Sequence, residues 1–113
     1  MRTSKEVIKE IDVLIRARYP LIYIQTYEEE RVEQIVAKIG RNRGKEIYCW
    51  SIARGIHPQG VPLQSKRAKD QATTEPAIAL DTVVDSMENA IYIFKDFFSF
   101  FIHRIIFFFI SLT

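Results

Sequence analysis

Two hydrophobic patterns alternate along the chain. Apolar residues spaced three and four positions apart indicate amphipathic helices, and short apolar runs rich in β-branched and aromatic residues indicate buried strands. Three helices are predicted, over residues 4–17, 26–40 and 76–87. Three strands are predicted, over residues 21–26, 47–51 and 90–94. Local signals support the helix ends, since Thr26 and Glu29 have the spacing of a capping box, Gly40 suits a helix end, and Pro76 suits a first turn.

The order of these elements is helix, strand, helix, strand, loop, helix, strand, which predicts an α/β fold. Parallel neighbours need long crossover connections, so we expect a partial three-layer domain with a parallel sheet. The third helix is expected to bury five residues against this sheet: Ala79, Leu80, Val83, Val84 and Met87. Three strands are few for an independent α/β domain, so the pattern resembles the beginning of a larger fold. Its open edge predicts aggregation.

The connection over residues 52–75 holds two glycines and two prolines and shows little periodicity, which predicts a long loop. Basic residues are concentrated around it: residues 41–69 contain seven basic side chains and one acidic one, in a chain of net charge +2. An anionic partner is therefore one hypothesis, with a solvated loop as the alternative. The candidate partner-binding residues are Arg54, Lys66, Arg67 and Lys69.

The composition changes abruptly near the C-terminus. All eight phenylalanines lie between Phe94 and Phe109, in a chain of 113 residues. We therefore divide the chain into an α/β domain over 1–96 and a Phe-rich tail over 97–113. The apolar run at 97–110 is shorter than the roughly 20 residues of a membrane span and contains a histidine and an arginine. A fourth strand with a sticky tail, a membrane anchor and a frameshifted reading of the gene remain open.

No segment has the pattern of a nucleotide site. The GRNRGK sequence at 40–45 has its glycines one residue too close for a P-loop, has Glu46 in place of Ser or Thr, and precedes a strand. The junction at 26–30, where a phosphate loop would follow the first strand, holds three glutamates and no glycine. Asp96, at the end of the third strand, resembles a magnesium-linked acid but has no phosphate loop as partner.

No metal site or nucleophile is predicted either. The histidines, His57 and His103, lie at no ligand spacing from each other or from the single cysteine, Cys49. Cys49 is expected to be a small buried thiol in its strand. We therefore predict no catalytic, cofactor-binding or metal-binding residues in this chain. With apolar residues at 48% and charged residues at 27%, the composition is that of a globular domain without a signal peptide.

Several segments together resemble a known family. The sequence LIRARYPLIYIQTYEEERVEQIV at 14–36, the YCWS strand at 48–51 and the strand from Ile91 leading into Lys95-Asp96-Phe97 are similar to the N-terminal region of AAA-family ATPases of cyanobacteria and plastids. The resemblance covers roughly residues 5–97. The chain departs from the family pattern in the Phe-rich tail.

The resemblance implies an N-terminal accessory fragment of an AAA ATPase. In that family, ATP and magnesium are bound by a separate module with Walker A, Walker B and arginine-finger motifs, none of which this chain contains. It implies no activity of the chain alone, the AAA module or other subunits as partners, and a cytoplasmic or plastid-stromal location. The alternatives are a stand-alone interaction domain that uses the basic loop and a membrane-associated protein anchored by residues 97–113. Nucleic acid is not an expected partner.

Overall fold

The computed structural model describes residues 4–17, 19, 21–25, 28–62, 70–86, 89–95 and 105–110. Three α-helices and five strands lie in these ranges. The helices are α1 (Ser4–Arg16), α2 (Glu29–Asn42) and α3 (Pro76–Asp85). The strands are β1 (Leu21–Gln25), β2 (Glu46–Ser51), β3 (Gly55–Pro58), β4 (Ala90–Lys95) and β5 (Ile105–Ile110). A short 3-10 helix, Gln71–Thr74, precedes α3.

One mixed sheet contains all five strands, in the order β1-β5-β4-β2-β3. Strands β2 and β4 are parallel, whereas β2 and β3, β4 and β5, and β1 and β5 are antiparallel. Because β5 is antiparallel to both of its neighbours, β1 and β4 run in the same direction as β2. The α/β class is therefore confirmed, but the prediction of a purely parallel three-stranded sheet is wrong.

The two additional strands lie in the segment predicted to be a loop and in the tail, where a strand was one of several alternatives. Strand β3 forms a hairpin with β2 inside the predicted loop at 52–75, and the 3-10 helix occupies its end. Gly55, with φ of +69°, begins β3, a conformation that glycine adopts without steric cost. Strand β5 pairs residues 105–110 of the Phe-rich tail with β1 and β4. These residues therefore share one sheet with the α/β domain. The division of the chain at residue 96, with a frameshift as one explanation of the tail, stays a prediction.

Helices cover both faces of the sheet. The face under α1 and α2, here called the aliphatic face, is buried around ten residues: Ile11, Ile15, Ile22, Val32, Val36, Ala37, Ile47, Cys49, Ile91 and Ile93. The face under α3, here called the aromatic face, is buried around six: Trp50, Ala79, Val83, Ala90, Tyr92 and Phe94. Alternate residues of β2 and β4 thus serve opposite faces, as the period of two along a strand requires.

Two details of the helices differ from expectation. Gly40 does not end α2 but lies inside it, where a Cβ atom would stand 2.5 Å from Ile47 Cδ1 and 2.8 Å from Ile91 Cδ1. A larger residue here would displace these two side chains, so Gly40 lets α2 pass close to the sheet, and Gly44, with φ of +73°, makes the left-handed turn instead. On α3, Ala79 and Val83 are buried as predicted, but Val84 is 79% exposed. Met87 lies outside the described residues.

Candidate functional site

A buried polar cluster lies on the aliphatic face, beside the carboxyl end of β4. Glu33 of α2 forms an ion pair with Lys95, the last residue of β4, with 2.8 Å between Oε1 and Nζ. Gln59, just after β3, donates a hydrogen bond from Nε2 to Glu33 Oε2 at 3.0 Å. Both oxygens of the Glu33 carboxylate are therefore engaged by side chains from two other elements. Glu33 and Gln59 are each 9% exposed.

The topology brings these residues together. Strands β1 and β4 run in the same direction, so the carboxyl end of β4 and the start of α2, which follows β1, lie at the same edge of the sheet. Glu33 lies one helical turn before Ala37 and two turns before Gly40, and Ala37 and Gly40 are buried against the sheet. The β2–β3 hairpin delivers Gln59, whose backbone N–H donates to the Ile47 carbonyl oxygen at 3.0 Å.

Arg41, near the end of α2, completes the cluster on the outer side of Gln59. Its Nη2 donates to Oε1 of Gln59 and, at 3.4 Å, to the Gln59 backbone carbonyl oxygen. The Gln59 amide is thus fixed in one orientation, with its oxygen on Arg41 and its nitrogen on Glu33. The result joins α2, the β2–β3 hairpin and the end of β4 through charge-assisted hydrogen bonds.

The cluster keeps Glu33 ionised. Burial of the Glu33 carboxyl raises its pKa, but the hydrogen bonds from Lys95 and Gln59 and the positive charge of Lys95 outweigh burial, so the pKa is lowered below its ordinary value. A buried carboxylate with this set of partners is stabilised in its charged form. Its charge is balanced within the protein, so the cluster fits a structural clamp rather than a general acid or base.

Cys49 and His57 adjoin the cluster on neighbouring strands. They are direct partners in the β2–β3 register, and both are buried. Burial and the charge of Glu33 raise the pKa of the Cys49 thiol to about 12, so it stays protonated at neutral pH. A protonated, buried thiol is a poor nucleophile, which confirms the interpretation of Cys49 as a core residue.

His57 is held neutral by its surroundings. Burial lowers the pKa of His57, and the charges of Arg54 and Lys95 lower it further, although a hydrogen bond between Nδ1 and the Gly55 carbonyl oxygen, 2.9 Å long, opposes the shift. Among the described residues, no group of three or more histidine, cysteine, aspartate or glutamate side chains could hold a metal ion. Cys49 and His57 therefore form no metal site with described residues.

The GRNRGK segment is a connection between α2 and β2 and not a phosphate loop. Gly40 and Arg41 are helical, Arg43 closes the helix, and β2 begins at Glu46. A phosphate loop instead follows a strand and opens a helix, so that backbone N–H groups at the helix start point at the phosphates. The order here is reversed, as the sequence predicted.

A comparison with models of protein families identifies the family of this chain. The profile of the SpoVK-like AAA ATPase N-terminal domain matches residues 7–107. The chain belongs to this family. The match extends beyond Phe97, where the resemblance based on individual motifs ended, and reaches Phe107 in β5. The family assignment predicted from the strand and helix motifs is thereby confirmed.

Individual relatives point in the same direction. The uncharacterized AAA domain-containing protein ycf46 of Trieres chinensis is 35% identical over 91 residues, which cover 78% of this chain and 17% of the relative. The ycf46 protein of Guillardia theta is 43% identical over 49 residues, or 42% of this chain and 10% of the relative. That of Pyropia yezoensis is 26% identical over 96 residues, or 81% and 18%. The chain thus spans less than a fifth of the length of these relatives. No solved structure matches it.

In this AAA-type N-terminal domain, the described basic residues do not form one patch. Arg43 binds Asp12 of α1 at 2.8 Å, and Lys45 donates to Asn89 Oδ1 at 2.8 Å, both near the start of β2. Arg54 follows the opposite end of β2, where its Nη2 donates to the Val61 carbonyl oxygen at 2.9 Å. Because a strand rises about 3.3 Å per residue, the six residues of β2 separate the two ends by roughly 17 Å.

Several predicted candidates lie outside the described residues. These are Lys66, Arg67 and Lys69 of the basic loop, Asp96 and His103. Their assignments stay predictions. Where the structure describes the chain, it contains no helix that is long and apolar enough to cross a membrane.

Sequence reasoning missed the three central residues of the polar cluster. Glu33 was not singled out, although its spacing from Ala37 and Gly40 places it on the buried side of its helix. Lys95 continues the alternation of β4, which puts it on the same face as Ile91 and Ile93. Gln59 had no signal of its own, because its position depends on the β2–β3 hairpin, which was not predicted.

Proposed function

We propose that this chain is the non-catalytic N-terminal domain of an AAA ATPase, which makes protein contacts and neither binds nor hydrolyses ATP itself. Its fold shares only two general features with nucleotide-binding domains: helices cover both faces of the sheet, and three strands run in the same direction. In such folds, ligands bind at the carboxyl ends of the strands, close to a helix N-terminus.

The Glu33–Lys95 pair is the observation that carries the proposal. It lies at the carboxyl end of β4 and beside the first turns of α2, which is the region where a phosphate would need a positive, unoccupied cradle. Here the carboxylate of Glu33 already accepts from Lys95 and Gln59. The exposed acidic residues Glu28 and Glu30 add negative charge at the start of the helix. A nucleotide phosphate would therefore meet repulsion and a lysine that already has a partner.

The cofactor and partner assignments follow from this proposal. ATP and magnesium belong to the rest of a longer AAA protein, and the partners of this domain are that module or other subunits. Arg54, Lys66, Arg67 and Lys69 are the proposed contact residues. The proposed location is the cytoplasm of a cyanobacterium or the stroma of a plastid.

Titration of the full chain with a fluorescent ATP analogue, with and without magnesium, tests the catalytic half of the proposal. We expect no saturable binding at millimolar nucleotide and no phosphate release above the buffer rate. A full-length AAA relative, assayed in parallel, is the positive control. Saturable, magnesium-dependent binding by this chain, abolished by Lys95→Ala, would overturn the proposal.

A binding assay against the ATPase module of a full-length relative tests the contact half. We expect an interaction that weakens when Lys66, Arg67 and Lys69 are changed together to glutamate. The matched control changes Lys5, Lys9 and Lys38, which are exposed on α1 and α2, to glutamate. Equal loss of binding in both triple variants would mean that net charge and not the basic loop is responsible.

A further inference from the structure

The two edges of the sheet are built differently. Strand β3, at one edge, has four residues and ends in Pro58, which has no backbone N–H to offer a further strand. Strand β1, at the other edge, has the sequence LIYIQ, with no charge, proline or glycine. Proteins usually protect sheet edges with short strands, prolines or charges, because an unprotected edge pairs readily with another strand. By this criterion β3 is protected and β1 is not.

The protection of β3 extends to its backbone. The Ile56 N–H donates to Thr73 Oγ1 of the 3-10 helix at 2.8 Å, and the Asp70 N–H donates to the Arg54 carbonyl oxygen at 2.8 Å. The segment before α3 therefore covers the outer edge of β3. Within the described ranges, no strand pairs with the outer edge of β1. Leu21 at its start is 48% exposed, and the neighbouring Tyr19 is 53% exposed.

Charges on the two sides of β1 indicate which partner strand suits this edge. Arg16 and Arg18 precede the strand, and Glu28, Glu29 and Glu30 follow it. If a second β1 pairs antiparallel, the basic residues before β1 in one copy lie next to the acidic residues after β1 in the other, and this happens at both ends of the pairing. A parallel pairing would place like charges together. Within its own chain Arg16 binds Asp12, and Glu28 binds Arg31. The side chains of Arg16 and Glu28 are 54% and 62% exposed, so each can also contact a second copy.

We propose that two copies of this chain associate through β1, antiparallel and around a twofold axis, so that one sheet continues across both copies. The edge supplies backbone hydrogen bonds, the exposed side chain of Leu21 supplies apolar contact, and the flanking charges set the direction. Such an interface is isologous and closes at two copies. Five-residue strands bury less than a standard interface, so the dimer should be weak and concentration-dependent. This association is independent of whether the chain binds ATP.

Sedimentation equilibrium of the full chain tests the proposal. We expect a monomer–dimer equilibrium, and Leu21→Glu should raise its dissociation constant about tenfold, since an apolar contact is lost at both ends of the pairing and each new carboxylate meets the acidic residues of the other copy. Val84→Glu is the matched control, because it places the same charge at a more exposed apolar site on α3, and it should leave the constant within about twofold. A monomer at all concentrations, or larger species unaffected by Leu21→Glu, would overturn the proposal.

Charge-reversal variants distinguish antiparallel pairing of two β1 strands from any other association through this edge. Arg16→Glu alone and Glu28→Arg alone should each weaken the dimer severalfold, because each places like charges together at both ends. The double variant, Arg16→Glu with Glu28→Arg, should restore the association to near that of the original chain. Failure of the double variant to recover would contradict the antiparallel arrangement. Circular dichroism on each variant confirms that the fold is retained.

Discussion

The aliphatic and aromatic faces of the sheet are stabilised in different ways. Two helices cover the aliphatic face, whose branched side chains are joined at one end by the Glu33–Lys95 pair. One helix and a short 3-10 helix cover the aromatic face, where four rings form two stacked pairs. Tyr48 stacks on Tyr92, and Trp50 stacks on Phe94, both with 5.3 Å between ring centroids. The face with less helical cover thus depends on large, stacked rings.

This difference separates two kinds of stabilisation. Aromatic rings bury a large area per residue and gain from stacking, so a single helix can close their face. Two helices cover the aliphatic face, and polar contacts fix the position of one of them, because Glu33 joins α2 to both β4 and the hairpin. Losing a ring should therefore cost more stability than losing a polar contact, and only the polar contacts should respond to pH.

The largest expected effect is on the aromatic face. Phe94→Ala removes a fully buried ring and its stacking on Trp50, and should lower the free energy of unfolding by about 3–5 kcal/mol. Urea denaturation followed by circular dichroism measures this. The matched control is Ile52→Ala, which truncates a side chain that is 67% exposed and should cost under about 0.5 kcal/mol. A loss below 1 kcal/mol for Phe94→Ala would mean that α3 does not close this face.

An intermediate effect is expected from the polar cluster. Glu33→Gln removes the carboxylate that pairs with Lys95 and should destabilise the fold by about 2 kcal/mol, below the range for a fully buried pair because Lys95 retains partial solvent access. Lys95→Met should cost a similar amount by leaving the Glu33 charge unpaired.

The double variant decides whether the two residues act as a pair. If they do, Glu33→Gln combined with Lys95→Met should cost clearly less than the sum of the two single changes. Denaturation of all four proteins under one condition completes the cycle. Additive losses would show that each side chain acts alone and that Glu33 is not the link between α2 and β4.

Acidification should weaken the same region. Burial lowers the pKa of His57, so the unfolded chain takes up a proton near pH 6.5 that the folded chain does not. Stability is therefore fully present above about pH 6.5 and falls as the pH drops from there through the lower folded-state pKa. Glu33, whose pKa is also lowered, adds a second loss below its ordinary value of 4.5.

Unfolding measurements between pH 7.5 and 5.5 isolate the histidine. We expect His57→Gln to flatten the decrease in stability over this interval, and His103→Gln, which changes the other histidine of the chain, to leave it in place. The reverse result, or an unchanged slope in His57→Gln, would show that His57 is not the group that titrates.

Local periodicity predicted the parts of the fold that local forces determine. Helix α1 begins at Ser4 and α3 at Pro76 as predicted, and β1, β2 and β4 differ from prediction by one residue at an end. Strand β3 was missed because its glycine and proline are typical of loops, and tertiary pairing with β2 overrides that local preference. Strand β5 was only one of several alternatives for the tail, since an apolar run has no periodicity that distinguishes a strand.

The candidate site was less predictable than the fold. The absence of a phosphate loop followed from the spacing at 40–45 and the position of that segment before a strand, both readable in the sequence. The cluster of Glu33, Gln59 and Lys95 joins residues 26 to 62 positions apart along the chain. No local pattern encodes such a contact, because it depends on the order of strands in the sheet.

The smallest expected effect is at Val84, which was predicted to lie on the buried face of α3. Val84 fits the apolar spacing of that helix, yet it is 79% exposed, whereas the adjacent Val83 is buried against the aromatic face. Val84→Ala should therefore change the free energy of unfolding by no more than about 0.5 kcal/mol, while Val83→Ala should cost about 1–3 kcal/mol through lost burial. The two variants make the same chemical change one residue apart, so their difference in denaturation midpoint reports the orientation of α3 directly. Equal losses would mean that α3 is rotated and that the aromatic face is covered differently.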